Sequence, residues 1–208
     1  FEAKSEGMIA YNFIKANRPY IPLQQENREQ YNISKKVHFF DVLDFNNPIL
    51  QSSGFLIDKA LTFVFSSISP KSSQLTLEEQ AQENLDVLNS NIMEVDPFFK
   101  ARLLEKLWKE TSKRKMDAST DLVYNNYLLP LSKINGQKEI KEITDKIELA
   151  NRLRIGATAP DIIWKDKGLD RRLSDLSGAQ NYVLLFWSST CSHCLKEDPE
   201  LYKELKDE

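Results

Sequence analysis

The amino-acid sequence predicts a mainly α-helical N-terminal domain over residues 1–153, followed by a shorter α/β segment over residues 154–208. The helical prediction rests on apolar residues that recur at helical spacing behind helix-start signals. The α/β prediction rests on a change in amino-acid composition near Arg154. Beyond that residue come three of the six glycines, an apolar run at 182–187 and both cysteines of the chain.

Helix-start signals precede several stretches of the first domain. Asp96 and Asn47 each stand directly before a proline, which pairs an N-cap residue with a residue suited to the first helical position. Thr76 and Glu79 have the spacing of a capping box, in which each side chain covers a backbone N–H of the other residue. The apolar stripes behind such starts predict the helical core: Ile57, Leu61, Val64 and Ile68; Ala81, Leu85, Leu88 and Ile92; Leu103, Leu104, Leu107 and Trp108; Ile140, Ile143 and Ile147.

Two aromatic stretches of the first domain are expected to be structural. Residues 37–45 (VHFFDVLDF) predict a turn of helix packed on the bundle, with His38 as a packed or capping residue rather than a ligand. Tyr124 and Tyr127 sit at helical spacing and are expected in the core. Residues 8–14 are also expected to be helical.

Charge and hydropathy limit the expected partners. The formal net charge is −3 and no basic stripe stands out, so we expect no binding to nucleic acid. The run Lys113-Arg114-Lys115 ends a helical pattern, where it complements the helix dipole. No apolar stretch reaches the roughly 18–20 residues that span a bilayer. The chain opens on Phe1 rather than methionine, so we expect the natural start to be missing, which leaves membrane anchoring through that start open.

The α/β segment opens with a predicted hairpin. Residues 161–164 predict a short strand, residues 165–168 a turn and residues 169–173 the return strand. The continuous apolar run at 182–187 has strand length and is typical of a strand buried on both faces of a sheet. From Cys194 onward the apolar spacing becomes helical.

The run Cys191-Ser192-His193-Cys194 predicts a redox site. A cysteine at a helix N-terminus ionises below the ordinary thiol pKa of about 8.5, because the N–H groups and the helix dipole stabilise negative charge. The two-residue gap spans one helical turn, so Cys194 can reach a mixed disulfide formed at Cys191 and release the substrate. His193 is expected to stabilise the thiolate further.

Three sequence stretches, "IGATAPDII", "LSDLSGAQNYVLLFW" and "CSHCLKEDPEL", resemble the opening of a thioredoxin-like domain of the TlpA/ResA type. These proteins are thiol–disulfide oxidoreductases of the bacterial cell envelope. The resemblance covers residues 155–201 and implies that the segment is the first part of an α/β thioredoxin-like fold. The residues that match the family's order and spacing are Gly156, Ala159, Pro160, Asp161, Asp175, Leu176, Gly178, Trp187, Cys191 and Cys194.

The resemblance also implies roles and surroundings for the site. A glutamate three residues after the second cysteine assists proton movement in this family, and Glu197 stands at that position, followed by Pro199. Trp187 lies in the family's position ahead of the cysteines. The resemblance implies protein thiols or disulfides as substrates, an upstream electron donor, no cofactor besides the redox-active disulfide, and a periplasmic or lipid-anchored location facing the periplasm.

Two departures from the family pattern concern the active-site loop, and a third concerns length. Thr190 replaces a frequent tryptophan, and Ser192-His193 replaces a pair that often contains proline, which changes the expected redox potential. The family's domain continues with a cis-proline loop, a further strand, a hairpin and a final helix, none of which follows Glu208. We therefore expect a truncated piece of a longer enzyme whose central strand lacks a neighbour and whose own activity is in question.

Other functions are weighed against thiol–disulfide exchange. Copper capture or half of a zinc site would use Cys191, Cys194 and His193, but a closed zinc site needs four ligands. A peroxidase of the peroxiredoxin kind shares the fold, but its active cysteine normally lacks a Cys-x-x-Cys pattern. A partner-binding or dimerising role for residues 1–153 is compatible with the redox function. For the helical domain, the sequence predicts no catalytic motif.

Overall fold

The structure is a computed structural model that describes residues 2–66, 76–154, 157, 160–179, 182–186 and 188–206, with the backbone alone at 197–199 and 205–206. The chain divides into two units, Phe1–Thr158 and Ala159–Glu208. In the described residues, the first unit is helical and the second contains one hairpin and one α-helix. The described chain is therefore mainly α-helical, with a small antiparallel sheet.

The helices of the first unit are short to medium in length and follow one another closely. A 3-10 turn covers Glu2–Ser5, and one π-helical segment covers Val123–Leu128. The α-helices are α1 (Ile9–Ala16), α2 (Arg28–Val37), α3 (Pro48–Gln51), α4 (Phe55–Val64), α5 (Leu77–Asn91), α6 (Pro97–Lys113), α7 (Asp117–Leu122), α8 (Leu129–Asn135) and α9 (Lys138–Arg152).

The three predicted helix starts are confirmed by their capping hydrogen bonds. Thr76 Oγ1 accepts from the Glu79 N–H at 3.2 Å, and Glu79 Oε2 accepts from the Thr76 N–H at 2.7 Å. Asp96 Oδ1 accepts from the Phe99 N–H at 2.8 Å at the start of α6. Asn47 caps α3 in the same way. Each cap supplies an acceptor to an N–H group that has none inside the first helical turn.

The predicted apolar stripes form the core of the helical unit. Their buried members are Ile57, Val64, Ala81, Leu85, Leu88, Ile92, Leu103, Leu104, Leu107, Trp108, Ile140 and Ile147. Leu61 and Ile143 are partly buried against this core, and Ile68 lies outside the described residues. Tyr124 and Tyr127 are each 9% exposed, so the prediction that they belong to the core is confirmed.

Residues 38–42 and 45–46 form turns, so the turn of helix predicted over 37–45 is wrong beyond Val37. The preceding helix α2 ends at Val37, and the Phe39 N–H then donates to the carbonyl three residues earlier, at 3.2 Å. Phe39 and Phe40 both pack on Phe63, with ring centroids 5.1 and 4.5 Å apart. The turn thus brings two neighbouring rings onto one partner in the core. The predicted packing on the bundle is confirmed.

The basic run after α6 lies at the helix C-terminus, as predicted. Lys113 is the last residue of α6 and Arg114 is its C-cap, so both charges complement the helix dipole. The Arg114 guanidinium also lies over the Phe65 ring, 4.1 Å from its centroid.

Among the residues that the structure describes, no helix has both the length and the apolar character needed to cross a bilayer.

The second unit begins with a β-hairpin of two exposed strands. Strand β1 (Ile163–Asp166) pairs antiparallel with β2 (Leu169–Arg172). The two turn residues, Lys167 and Gly168, have φ of 48° and 83°, the positive values of a type I′ hairpin turn. The predicted hairpin is confirmed, although its first strand lies two residues later and its turn is two residues shorter than the sequence suggests. The 3-10 turn Leu173–Asp175 follows.

The predicted buried strand at 182–187 is corrected by the structure. Residues 182–186 belong to no strand and are exposed, with Val183 at 67% and Phe186 at 83%, and Trp187 lies outside the described residues. A strand buried on both faces needs ladder partners and a layer on each side. The only pairing in the described part of this unit is that of β1 with β2, which offers neither.

Helix α10 (Ser192–Lys206) then forms, as predicted from the spacing beyond the cysteines.

Candidate redox site

A turn places Cys191 at the position directly before α10. The Cys191 N–H donates to the Ser188 carbonyl at 3.1 Å, which closes the turn. The Cys191 carbonyl then accepts from the Leu195 N–H at 3.1 Å, the first intrahelical bond of α10. Cys191 is therefore the N-cap residue of the helix, with its side chain beside N–H groups that have no intrahelical acceptor.

The two cysteines are free thiols, each half-buried, and they hydrogen-bond to one another. The Cys194 N–H donates to Cys191 Sγ at 3.3 Å, so the sulfur occupies the position that a serine or aspartate oxygen takes in an ordinary helix cap. The two-residue gap thus places the Cys194 backbone N–H, one helical turn later, beside the Cys191 sulfur.

The shared hydrogen bond separates the acidities of the two thiols. The pKa of Cys191 is lowered, first by the Cys194 thiol and then by the Cys194 backbone N–H. Burial raises it, and the His193 backbone N–H lowers it a little further. The same thiol bond raises the pKa of Cys194, because its proton is held between the sulfurs, while the Ser188 backbone acts in the opposite direction. Of the two thiols, Cys191 is therefore the more readily ionised.

The other predicted site residues are distributed along α10 and the segment before it. His193 is exposed and its ring makes no hydrogen bond to the described residues, so its recorded effect on Cys191 comes through the backbone. Glu197 and Pro199 lie within α10, Glu197 three residues after Cys194, and their side chains lie outside the described part of the structure. Trp187 lies outside it as well.

The contact between two hydroxyl residues of the loop, Ser188 and Thr190, was not predicted, although Thr190 was noted as a replacement of tryptophan. Ser188 Oγ and Thr190 Oγ1 lie 3.0 Å apart, and the Thr190 N–H donates to Ser188 Oγ at 3.4 Å. The run Ser188-Ser189-Thr190 contains the signal, because serine and threonine hydroxyls accept from backbone N–H groups two residues later.

A metal site receives no support from the described residues. They contain no group of three or more His, Cys, Asp and Glu side chains arranged to hold an ion. The other histidine of the chain, His38, is the C-cap residue of α2, and its Nδ1 lies 2.7 Å from Asp41 Oδ2. Its ring stacks on Tyr20 with centroids 4.9 Å apart, so the expected packed and capping role is confirmed.

His38 also lines a cleft of about 400 Å³ in the helical unit. Its other walls include Tyr20, Tyr31 and Phe39, and its charged residues include Lys35. The Tyr31 hydroxyl donates to the Tyr20 carbonyl at 3.4 Å. The cleft therefore brings together aromatic rings whose polar groups are already bonded within the protein, without a nucleophile beside a base.

Comparisons of the chain with protein-family models, with curated proteins and with solved structures find no match in any of the three.

Proposed function

We propose that the chain carries the dithiol–disulfide exchange site of a thiol–disulfide oxidoreductase, with Cys191 as the attacking thiolate and Cys194 as the resolving thiol. One observation carries the proposal: Cys191 takes the N-cap position of α10, and its Sγ accepts from the Cys194 backbone N–H at 3.3 Å, which favours a thiolate at Cys191 and leaves Cys194 as its protonated partner. An exchange site needs this division of roles, because the attacking sulfur must be a thiolate while its partner stays protonated until the second step.

In the reducing direction, the Cys191 thiolate attacks one sulfur of a substrate disulfide, and the other substrate sulfur leaves as a thiolate. Cys194 then loses its proton and attacks Cys191 Sγ, which breaks the mixed disulfide and releases the second substrate thiolate. The products are a Cys191–Cys194 disulfide and a substrate reduced by two electrons, whose thiolates take up protons from solvent. The oxidising direction is the reverse of these steps.

Glu197 is proposed as the group that accepts the Cys194 proton before the second attack. Its backbone position supports the role, because residues three apart on a helix share one face. His193, Trp187 and Pro199 are proposed as supporting residues of the same site. The chemistry needs no cofactor beyond the cysteine pair, since the pair itself carries the two electrons.

The wider assignment rests on the resemblance to the TlpA/ResA type. It makes residues 154–208 the first part of a thioredoxin-like domain and residues 1–153 a preceding helical domain. The substrates are then protein thiols or disulfides, with an upstream electron donor, in the bacterial envelope.

The redox potential of the cysteine pair tests the proposal. The chain is equilibrated in glutathione buffers of stepped potential, and free thiols are trapped with a mass tag. We expect a two-electron transition between about −120 and −270 mV, displaced from that of an unfolded Cys-Ser-His-Cys peptide. A potential equal to that of the peptide would contradict the proposal.

Trapping of the intermediate tests the assignment of roles. With oxidised glutathione, the Cys194→Ser variant is expected to accumulate a mixed disulfide at Cys191, because no second thiol resolves it. The Cys191→Ser variant is expected to react more slowly, since Cys194 lies within the first turn of α10 and not at the N-cap position beside the unpaired N–H groups. Ser192→Ala, which leaves both thiols in place, is the matched control. Equal labelling of the two single-cysteine variants would reverse or remove the assigned roles.

A further inference from the structure

The loop before Cys191 is held by one residue, Ser188, at three points. Its carbonyl accepts from the Cys191 N–H at 3.1 Å. Its hydroxyl lies 3.0 Å from Thr190 Oγ1 and accepts from the Thr190 N–H at 3.4 Å. Side-chain and backbone atoms of Ser188 therefore close two overlapping turns on the segment that ends at the first cysteine.

These turns bear directly on the sulfur of Cys191. An N-cap residue has a non-helical backbone, and that backbone orients its side chain toward the N–H groups of the first helical turn. Cys191 occupies this position, and its Sγ accepts from the Cys194 N–H at 3.3 Å. The turn at 188–191 fixes the backbone on the N-terminal side of Cys191, while α10 fixes it on the other side.

We propose that Ser188 is a positioning residue for Cys191, acting through its hydroxyl contact with Thr190. The pair holds residues 188–191 in the turn that keeps Cys191 Sγ against the first N–H groups of α10. The inference rests on the proposed function in taking Cys191 as the attacking sulfur. It adds a role for the residue at position 190, where the resembled family often has tryptophan and this chain has a hydroxyl.

The reactivity of a single thiol across pH measures this positioning. All variants are made in the full chain carrying Cys194→Ser, so that Cys191 is the remaining thiol and a hydroxyl replaces its neighbour. Iodoacetamide alkylation is followed by mass spectrometry from about pH 5 to 9, because the rate follows the thiolate fraction. Ser188→Ala and Thr190→Val are expected to move the profile to higher pH and slow the reaction near neutral pH by about threefold or more.

Two matched variants separate positioning from general loss of structure. Thr190→Ser keeps the hydroxyl and is expected to retain the reference profile, whereas Thr190→Val keeps the shape without it. Ser189→Ala removes an exposed hydroxyl between the two residues that has no hydrogen bond to the described residues, and it should leave the profile unchanged. Far-ultraviolet circular dichroism verifies that each variant keeps the helix content of the reference chain.

The possible outcomes distinguish this inference from the proposed function. Profiles of Ser188→Ala and Thr190→Val that coincide with the reference profile would overturn the positioning role and leave the exchange function standing. A reference profile equal to that of the same chain in urea would overturn both, because no tuned thiol would exist. If the pH profile of Cys191 differs from that in urea and depends on Ser188, but the wild-type chain exchanges no disulfide, the proposed function alone would be overturned.

Discussion

Asn84 of α5 caps the C-terminal end of α4 from inside the core. Its side-chain amide donates to the Val64 carbonyl at 2.9 Å and to the Phe63 carbonyl at 3.3 Å. Asn84 is 2% exposed and both carbonyl residues are buried. The last carbonyls of a helix have no intrahelical partner, and leaving them unpaired away from water is costly. One buried polar side chain of α5 thus holds the end of α4.

Replacing Asn84 with alanine is expected to destabilise the helical unit by about 2–3 kcal/mol. The substitution removes two hydrogen bonds and takes the amide donor from the buried Val64 carbonyl, which costs more than the bonds alone contribute, whereas the Phe63 carbonyl still accepts from Ser66. Urea unfolding followed by circular dichroism measures the change.

Asn91→Ala is the matched control for this substitution. The Asn91 amide donates to the Val87 carbonyl at 2.8 Å, but the residue is exposed at the end of α5, so the expected loss is within about 0.5 kcal/mol. A loss of the same size in both variants would show that the buried cap of α4 adds nothing.

Helix starts in this chain are predictable because capping is a local interaction. Thr76 and Glu79 are three residues apart in sequence, and the hydrogen bonds that define the cap span that interval. The π-helical segment Val123–Leu128 has no comparable local signal. Tyr127 lies on it and donates to Asp86 Oδ1 of α5 at 2.5 Å, across 41 positions of sequence. A contact that distant is set by tertiary packing, which a single sequence does not specify.

The candidate site divides in the same way between local and non-local features. The pairing of Cys191 with Cys194 follows from one helical turn and was predicted. The strand expected at 182–187 depends on partner strands, and apolar character alone does not supply them. The turn at Ser188 is local, yet several turn types suit a serine-rich run, so the sequence indicates a turn without assigning its hydrogen bonds.

Tyr127 makes the stability of the helical unit sensitive to alkaline pH. Burial, followed by the hydrogen bond to Asp86 and the charge of that carboxylate, raises the pKa of Tyr127 well above its ordinary value. The folded state therefore holds the phenol proton more tightly than the unfolded chain does. Its contribution is fully present below the ordinary tyrosine pKa of about 10 and is lost as pH rises beyond it, by up to about 1.4 kcal/mol per pH unit.

Tyr127→Phe is expected to lower stability by about 1 kcal/mol at neutral pH, because the hydroxyl hydrogen bond is lost. The deficit should shrink or reverse above about pH 10, because phenylalanine does not titrate. Unfolding in urea at neutral and alkaline pH measures both effects. Tyr202→Phe, at a ring 66% exposed, is the control and should follow the wild type. A deficit for Tyr127→Phe that stays constant with pH would contradict the account.

The side chain at position 194 is expected to control how fast Cys191 reacts. The thiol of Cys194 is the main cause of the lowered pKa of Cys191, ahead of the backbone N–H groups. Cys194→Ala removes that donor, whereas Cys194→Ser replaces it with a hydroxyl. Alkylation of Cys191 near neutral pH should therefore be slower in the alanine variant by about threefold. Equal rates would assign the lowering to the backbone alone.

Arg154, just after α9, forms ion pairs with two aspartates, Asp117 and Asp121. Its guanidinium donates to Asp121 Oδ1 at 2.6 Å and to Asp117 Oδ1 at 2.5 Å, both on α7. The Arg154 side chain is 22% exposed, but the carboxylates are 57% and 77% exposed, so water screens the pair. We expect Arg154→Ala to destabilise the helical unit by about 1 kcal/mol at low salt.

Arg154→Lys should recover less than half of that loss, because an ammonium group does not offer the planar fork that contacts both carboxylates. The difference from wild type should decrease at high salt, where the charges are screened. Lys138→Ala removes an ion pair with Glu142 that is 3.7 Å long and exposed at both ends, so it should change stability little at either salt concentration. Urea unfolding at two ionic strengths measures all three variants. A loss in Arg154→Ala that high salt does not reduce would assign the effect to packing of the arginine stem rather than to its charge.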